Sequence, residues 1–163
     1  MRVLITGAAG FIGSHVTERL LSKGATVLGV DNFNRFYDPA IKEENVSKAL
    51  QNERFELARE DITDAATMTR LFAEFQPDRV VHLAAWAGVR PSIERPSLYQ
   101  KVNIEGTTNL LECCRRAGVN RFIFASSSSV YGDREAVPFR ETDNVDHPIS
   151  PYAATKKAGE LLC

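Results

Sequence analysis

Short apolar runs alternate along this chain with longer segments in which apolar residues recur every three or four positions. The apolar runs predict five strands, at residues 2–5, 27–30, 54–60, 79–83 and 121–125. The longer segments predict five helices, at residues 14–23, 40–51, 65–75, 97–117 and from 151 onward. The third helix has the clearest stripe, formed by Met68, Leu71, Phe72 and Phe75, and Asp64 before it suits an N-cap.

The regular alternation of strands and helices predicts an α/β fold. Helices between short buried strands favour a doubly wound parallel sheet of Rossmann-like type with right-handed crossovers. We expect the strand order 3-2-1-4-5, with ligands beyond the carboxyl ends of the strands, where the order reverses. Two segments lack a regular pattern, and we expect irregular loops at residues 84–96 and 126–150.

Composition narrows the class of protein without deciding its function. The 163 residues suffice for one domain with a sizeable core, and 44% hydrophobic with 25% charged residues is ordinary for globular proteins. A net charge of −1 argues against a nucleic-acid partner, and no apolar run approaches the ~20 residues of a membrane span. The first residues enter a strand at once, so we expect no secretion signal and a cytoplasmic protein. Cys113, Cys114 and Cys163 have no metal-site spacing, and the adjacent pair is expected in the core.

Three glycines at three-residue spacing join the first strand to the first helix. Gly7 suits a turn that needs positive φ, while Gly10 and Gly13 allow close approach of a pyrophosphate and of the helix. The segment through Phe11 and Ile12 would then present free N–H groups at a helix N-terminus to a phosphate. An ordinary turn is the alternative for a glycine triplet on its own.

Asp31 ends the second strand, 18 residues after Gly13. This is close to the spacing of about 20 residues expected for an acid that binds the adenosine ribose of a dinucleotide. Because a carboxylate would repel a 2′-phosphate, Asp31 favours NAD over NADP. The alternative is a turn residue at a strand end.

Tyr152 and Lys156 lie one turn apart on one face of the last predicted helix. A nearby ammonium favours the phenolate, which makes Tyr152 a candidate acid/base for an alcohol proton. Residues 126–129 are four serines at the end of the fifth strand, where a ligand is expected. By themselves, a chance Tyr/Lys pair and a polar strand end would explain both features equally well.

These motifs together resemble the extended short-chain dehydrogenase/reductase superfamily. The resemblance runs through the whole chain in order and rests on residues 6–13, Asp31, residues 61–62, residues 82–85, Asn103, residues 126–132, Tyr152 and Lys156. Within that superfamily, residues 31–39 and 87–92 are similar to nucleotide-sugar epimerases, above all UDP-glucuronate 4-epimerases. Trp86 departs from the polar residue that the family pattern has there.

The resemblance implies a role for each matching position. It implies a catalytic set of Ser127, Tyr152 and Lys156, the last two also contacting NAD. Beyond the glycine turn and Asp31, it implies cofactor contacts from Asn32, Asp61, Ile62, Leu83, Ala84, Ala85 and Asn103. It implies substrate contacts from Ser127, Ser128 and Arg90, with a solvated loop arginine as the alternative for Arg90.

The serine triplet 127–129 distinguishes among relatives of this kind. Similar sugar 4,6-dehydratases carry Thr-Asp-Glu at these positions, and related decarboxylases carry Glu at the third. Since Ser128 and Ser129 supply no carboxylate, the resemblance implies NAD-dependent 4-epimerisation of a UDP-sugar. A related nucleotide-sugar dehydrogenase or reductase is the alternative, and no metal is implied.

The resemblance also bears on domain organisation. Proteins of that family carry a carboxyl-terminal half with the sugar-binding domain, so we expect residues 1–163 to form an incomplete NAD-binding Rossmann domain. A non-catalytic NAD-binding fragment is therefore a second hypothesis. The resemblance further implies a homodimer through helices 97–117 and 151–163.

Overall fold

The computed structural model describes all 163 residues and shows one five-stranded parallel sheet. Its order is β3-β2-β1-β4-β5, so the predicted fold class and strand order are confirmed. The strands are β1 (Arg2–Thr6), β2 (Thr26–Val30), β3 (Phe55–Ala58), β4 (Arg79–His82) and β5 (Phe122–Phe124).

Seven α-helices surround the sheet. They are α1 (Phe11–Ser22), α2 (Pro39–Ser47), α3 (Ala65–Phe75), α4 (Val89–Glu94), α5 (Pro96–Tyr99), α6 (Gly106–Ala117) and α7 (Pro151–Leu162). A π-helical turn, Gln100–Glu105, joins α5 to α6, and short 3₁₀ turns lie at Ala49–Gln51 and Ser128–Tyr131. None of the helices combines the length and apolar composition needed to cross a membrane.

Capping side chains explain where two helices begin. The Asp64 carboxylate accepts hydrogen bonds from the backbone N–H groups of Ala66 and Thr67 at the start of α3. The Ser150 hydroxyl accepts one from Ala153 at the start of α7, with Pro151 in the first turn. The Asp64 cap was predicted, and the position of α7 matters because it carries two candidate catalytic residues.

Two expected boundaries were wrong. The loop expected at residues 84–96 holds only as far as residue 88, because Gly88 turns the chain at φ +91° and α4 follows at Val89–Glu94. Pro91 is compatible with that helix because it lies in the first turn, where its missing N–H is not needed. The helix expected at 97–117 is not uniform either, since the π-helical turn interrupts it.

The core has one cluster on each face of the sheet. Leu4 and Val80 pack with Phe72 of α3 and Leu110 of α6 on one face, and Cys113 and Cys114 are buried there as expected. On the other face a second cluster includes Val3, Ile5, Val27, Val81 and Leu21 of α1. Because successive strand residues point to opposite faces, β1 contributes to both clusters, which fixes the central strand beneath the glycine turn.

Candidate functional site

A cleft opens at the carboxyl ends of β1, β2 and β4, where the strand order reverses. Its wall includes these predicted cofactor residues: Gly7, Gly10, Asp31, Asn32, Asp61, Ile62, Leu83, Ala84 and Ala85. It also includes residues that sequence reasoning did not select: Asn34, Phe36, Tyr37, Lys42, Glu60 and Val102. The cleft lies where open α/β sheets bind ligands.

The glycine turn is too crowded for any other residue at two positions. Gly7 has φ +70°, and a Cβ there would lie 2.8 Å from the Ala84 nitrogen. A Cβ on Gly13 would lie 2.0 Å from the Gly7 carbonyl oxygen, so α1 packs directly against the turn. Gly10 is the N-cap of α1 and makes no side-chain cap, which leaves the first N–H groups of the helix available to an anion.

Phe11 and Ile12 contribute to this turn through their backbone. Their side chains are 75% and 61% exposed and do not line the cleft. Their N–H groups belong to the first turn of α1, where intrahelical acceptors are lacking. The sequence prediction for these two positions therefore concerns backbone atoms alone.

Asp31 is a buried carboxylate with three donors around it. Its Oδ2 accepts a hydrogen bond from the Ala9 N–H at 3.2 Å, and its Oδ1 accepts one from the Phe33 N–H at 2.9 Å. The Lys42 ammonium of α2 lies 3.2 Å from Oδ1, and both side chains are 6% exposed. Sequence reasoning placed Asp31 at the cleft and missed Lys42, because a lysine in a weakly patterned helix gives no signal of burial.

Asp61 lines the same cleft as Asp31 and lies on the segment after β3. Its Oδ2 accepts a hydrogen bond from the Asn32 amide at 2.8 Å, and its Oδ1 accepts two from Thr63. Burial alone would raise the pKa of Asp61, but these hydrogen bonds outweigh it and the pKa is lowered. Asp61 is thus an ionised acceptor that also orients Asn32.

Tyr37 presents a buried hydroxyl with no hydrogen-bond partner. That oxygen lies 4.0 Å from where a Cβ on Gly10 would be, so it faces the glycine turn. Burial, and after it the charge of Asp31, raises the pKa of Tyr37, which keeps the hydroxyl a donor. An orphaned buried donor beside a phosphate cradle fits an anionic ligand.

Lys156 is held against the end of the sheet by α7. Its ammonium donates a hydrogen bond to the Ala125 carbonyl oxygen at 2.9 Å and lies 6.0 Å from the centroid of the Tyr152 ring. Burial lowers the pKa of Lys156 to about 8. Tyr152 is partly buried, and its ring packs edge-on against Tyr99 with 6.1 Å between centroids.

Ser127 begins the 3₁₀ turn after β5. Its hydroxyl accepts a hydrogen bond from the Ser129 N–H at 3.2 Å and lies 2.9 Å from the Ser129 hydroxyl. Ser127 and Tyr152 are not hydrogen-bonded to each other. Ser128 and Arg90 are exposed, which leaves both interpretations of Arg90 open.

Asn103, in the π-helical turn, is buried behind the cleft and does not line it. Its Oδ1 accepts the Trp86 N–H at 2.8 Å, and its amide nitrogen donates to the Trp86 carbonyl oxygen and the Thr155 hydroxyl, each at 3.0 Å. Asn103 therefore joins the loop after β4 to α7. A cofactor contact through its side chain stays a prediction.

His82 extends this polar network through the sheet. Thr107 donates its hydroxyl proton to the Asn103 carbonyl oxygen, so it accepts from His82 Nε2, and Nδ1 accepts from Thr6. Burial, and after it the charge of Lys156, lowers the pKa of His82 to about 3. The ring is a neutral structural element, with its proton assigned to Nε2 by these partners.

A family model described as GDP-mannose 4,6 dehydratase matches residues 4–163. The chain belongs to this family. It lies within the extended short-chain dehydrogenase/reductases, as the sequence motifs predicted. The family name by itself does not assign a reaction to this chain.

Several of the most similar relatives are UDP-glucuronate 4-epimerases. UDP-glucuronate 4-epimerase 3 of Arabidopsis thaliana is 50% identical over 161 residues, which cover 98% of this chain and 37% of the relative. Protein CapI of Staphylococcus aureus is 46% identical, with 99% and 48% covered. The chain thus spans about half, or less, of the length of these relatives.

Solved structures agree with the sequence relatives. A UDP-glucuronic acid 4-epimerase from Bacillus cereus, in complex with UDP-glucuronic acid and NAD, is 39% identical with a TM-score of 0.90, covering 100% of this chain and 51% of that one. A UDP-glucose 4-epimerase from Thermus thermophilus with NAD is 43% identical with a TM-score of 0.86, covering 99% and 49%. The resemblance to NAD-dependent nucleotide-sugar epimerases is confirmed at the level of the family.

Proposed function

We propose that residues 1–163 are the NAD-binding domain of a nucleotide-sugar 4-epimerase of the UDP-glucuronate or UDP-glucose type. One observation carries this most directly. Tyr152 and the buried Lys156 lie at the same edge of the sheet as the glycine turn, while Ser128 and Ser129 provide no carboxylate for elimination. The names of the relatives support the choice of NAD and of a UDP-sugar.

The cleft fits NAD in three respects. The uncapped N-terminus of α1 would bind the pyrophosphate, with the orphaned Tyr37 hydroxyl as a further donor. Asp31 would accept hydrogen bonds from the adenosine ribose, and Asp61 and Ile62 would contact the adenine. When bound, NAD would supply a reversible hydride acceptor next to the sugar.

The chain's own residues would carry the proton steps. Tyr152 as phenolate would take the proton from the sugar 4-hydroxyl and later return it to the 4-keto sugar. The Lys156 ammonium lies 6.0 Å from the centroid of the Tyr152 ring, and its bond to Ala125 fixes where its charge lies. Ser127 would orient the sugar hydroxyl from the end of β5. Reduction on the opposite face of the keto sugar would invert carbon 4.

A related nucleotide-sugar dehydrogenase or reductase would use the same residues. The two reactions differ in whether the cofactor leaves in a changed redox state. An epimerase returns NAD to its starting redox state. Interconversion of two UDP-sugars without net change in nicotinamide absorbance would therefore support epimerisation over dehydrogenation.

A second candidate is cofactor binding without turnover. The chain covers 37% to 51% of the relatives reported above, and the carboxyl half of such proteins is expected to bind the sugar. For the 163 residues by themselves we therefore propose NAD binding with little or no epimerisation. A cytoplasmic homodimer through residues 97–117 and 151–163 remains a prediction.

Isothermal titration tests these proposals in sequence. NAD is titrated into the chain first, and UDP-glucuronate and UDP-glucose are then titrated into the NAD-loaded chain. Saturable NAD binding at one site is expected, and its absence would contradict both candidates. Binding and conversion of a UDP-sugar would favour the enzyme, while NAD binding alone would favour the non-catalytic candidate.

A further inference from the structure

Three hydrogen-bond donors converge on the Asp31 carboxylate. They are the Ala9 N–H at 3.2 Å, the Phe33 N–H at 2.9 Å and the Lys42 ammonium at 3.2 Å. Two backbone donors and a buried cation form an anion-binding site, and in this chain the occupant is the side chain of Asp31 itself.

This arrangement changes how Asp31 acts on a cofactor. A bare carboxylate excludes a 2′-phosphate by charge repulsion, but here Lys42 balances that charge at close range. With both side chains 6% exposed, solvent screens the pair weakly. Asp31 therefore excludes the phosphate mainly by occupying the donors that would bind it.

We propose that Asp31 and Lys42 together set the cofactor preference, with Lys42 as a cation that would bind a 2′-phosphate once the Asp31 carboxylate is removed. This rests on the proposed function, in which Asp31 faces the adenosine ribose. Lys42 also lies 3.4 Å from the Asn34 side-chain oxygen, a neutral acceptor that would hold the freed ammonium at the cleft wall. The wild-type cleft selects NAD because its anion site is already filled.

The test measures dissociation constants for NAD, NADP and 2′-AMP by titration calorimetry, in the wild-type chain, Asp31→Ser and Asp31→Ser/Lys42→Met. Serine clears space and frees the three donors. We expect Asp31→Ser to bind NADP and 2′-AMP about tenfold tighter or more than wild type does, the effect of one charge-assisted hydrogen bond. The second substitution should abolish that gain.

Two further variants keep the test decisive. Lys42→Met alone leaves the carboxylate unbalanced, so the ratio of the NADP to the NAD dissociation constant should rise. Lys48→Met is the matched control, because Lys48 is the C-cap of α2 and its ammonium pairs with Glu18 at the exposed surface. This variant should leave that ratio unchanged.

The outcomes separate the inference from the proposed function. A folded Asp31→Ser chain with no gain for NADP or 2′-AMP would overturn the inference, as would a gain that survives Lys42→Met. If Asp31→Ser does not fold, an unchanged ratio in Lys42→Met overturns it instead. A wild-type chain that binds no NAD contradicts the proposed function, while the 2′-AMP comparison still decides on the anion site.

Discussion

The Lys156 ammonium donates a hydrogen bond to the Ala125 carbonyl oxygen at 2.9 Å, which joins α7 to the end of β5. The bond gives a buried cation one fixed acceptor beside the sheet. It also makes the position of Lys156 relative to Tyr152 a property of the fold rather than of a bound ligand.

The low pKa of Lys156 predicts a pH dependence of stability. Because the folded pKa is about 8 and the ordinary value is 10.5, the unfolded chain binds more protons between these values. The contribution of Lys156 to the free energy of unfolding should therefore be fully present above pH 10.5 and be lost as pH falls through 8. Thermal melts of wild type and Lys156→Met from pH 7 to 11 measure it as their difference. A difference independent of pH would contradict the low pKa.

Removal of the Tyr152 hydroxyl should separate chemistry from cofactor binding. In any preparation that interconverts UDP-sugars, Tyr152→Phe should lower kcat about 10²–10⁴-fold, because the acid/base is lost. The dissociation constant of NAD should change little, since the ring and its packing on Tyr99 remain. Steady-state assays with titration of NAD measure both, and undiminished turnover would remove Tyr152 from the mechanism.

The orphaned hydroxyl of Tyr37 predicts the opposite result for NAD binding from that expected for Tyr152→Phe. Tyr37→Phe should weaken NAD binding about tenfold, the effect of one hydrogen bond to a charged group, while the melting temperature holds or rises. Tyr99→Phe is the matched control, because it removes the hydroxyl that bonds to the Ala87 carbonyl oxygen inside the fold. That variant should melt at a lower temperature. Equal NAD affinity in Tyr37→Phe and wild type would show that the hydroxyl has no ligand.

The close approach of the Gly7 carbonyl oxygen to Gly13 predicts that substitution of Gly13 lowers stability. Gly13→Ala should lower the free energy of unfolding by about 2 kcal/mol and weaken NAD binding, because its Cβ would lie 2.0 Å from the Gly7 oxygen. Gly10→Ala, where the same distance is 3.2 Å, should be milder in denaturant unfolding. Equal losses in the two variants would mean that crowding does not explain the glycine at 13.

The fold was predictable because its signals are local. Each strand is a short apolar run, Asp64 and Ser150 cap helices beside the patterned residues, and parallel connection rules leave few arrangements. The glycine turn and Asp31 were predictable for the same reason: the chain brings them to one edge through adjacent strands.

The missed features depend on contacts between distant segments. Lys42 is buried because its ammonium forms an ion pair with the Asp31 carboxylate, and nothing in the sequence of α2 indicates that pairing. The hydroxyl of Tyr37 gains meaning only from its position above Gly10. The π-helical turn has no sequence period that separates it from the helices on either side, so a uniform helix was expected there.

The amide of Asn103 has a consequence for motion. It bonds to the Trp86 backbone on the loop after β4 and to Thr155 on α7, so one buried side chain clamps two walls of the site at a fixed spacing. A hinge between those walls would break either the bond to Thr155 or both bonds to Trp86, in a region shielded from water, which would otherwise replace them. Adjustment to ligands of different length then falls to the partly exposed loop at residues 32–38, which touches these walls through the packing of the Phe36 ring on Trp86.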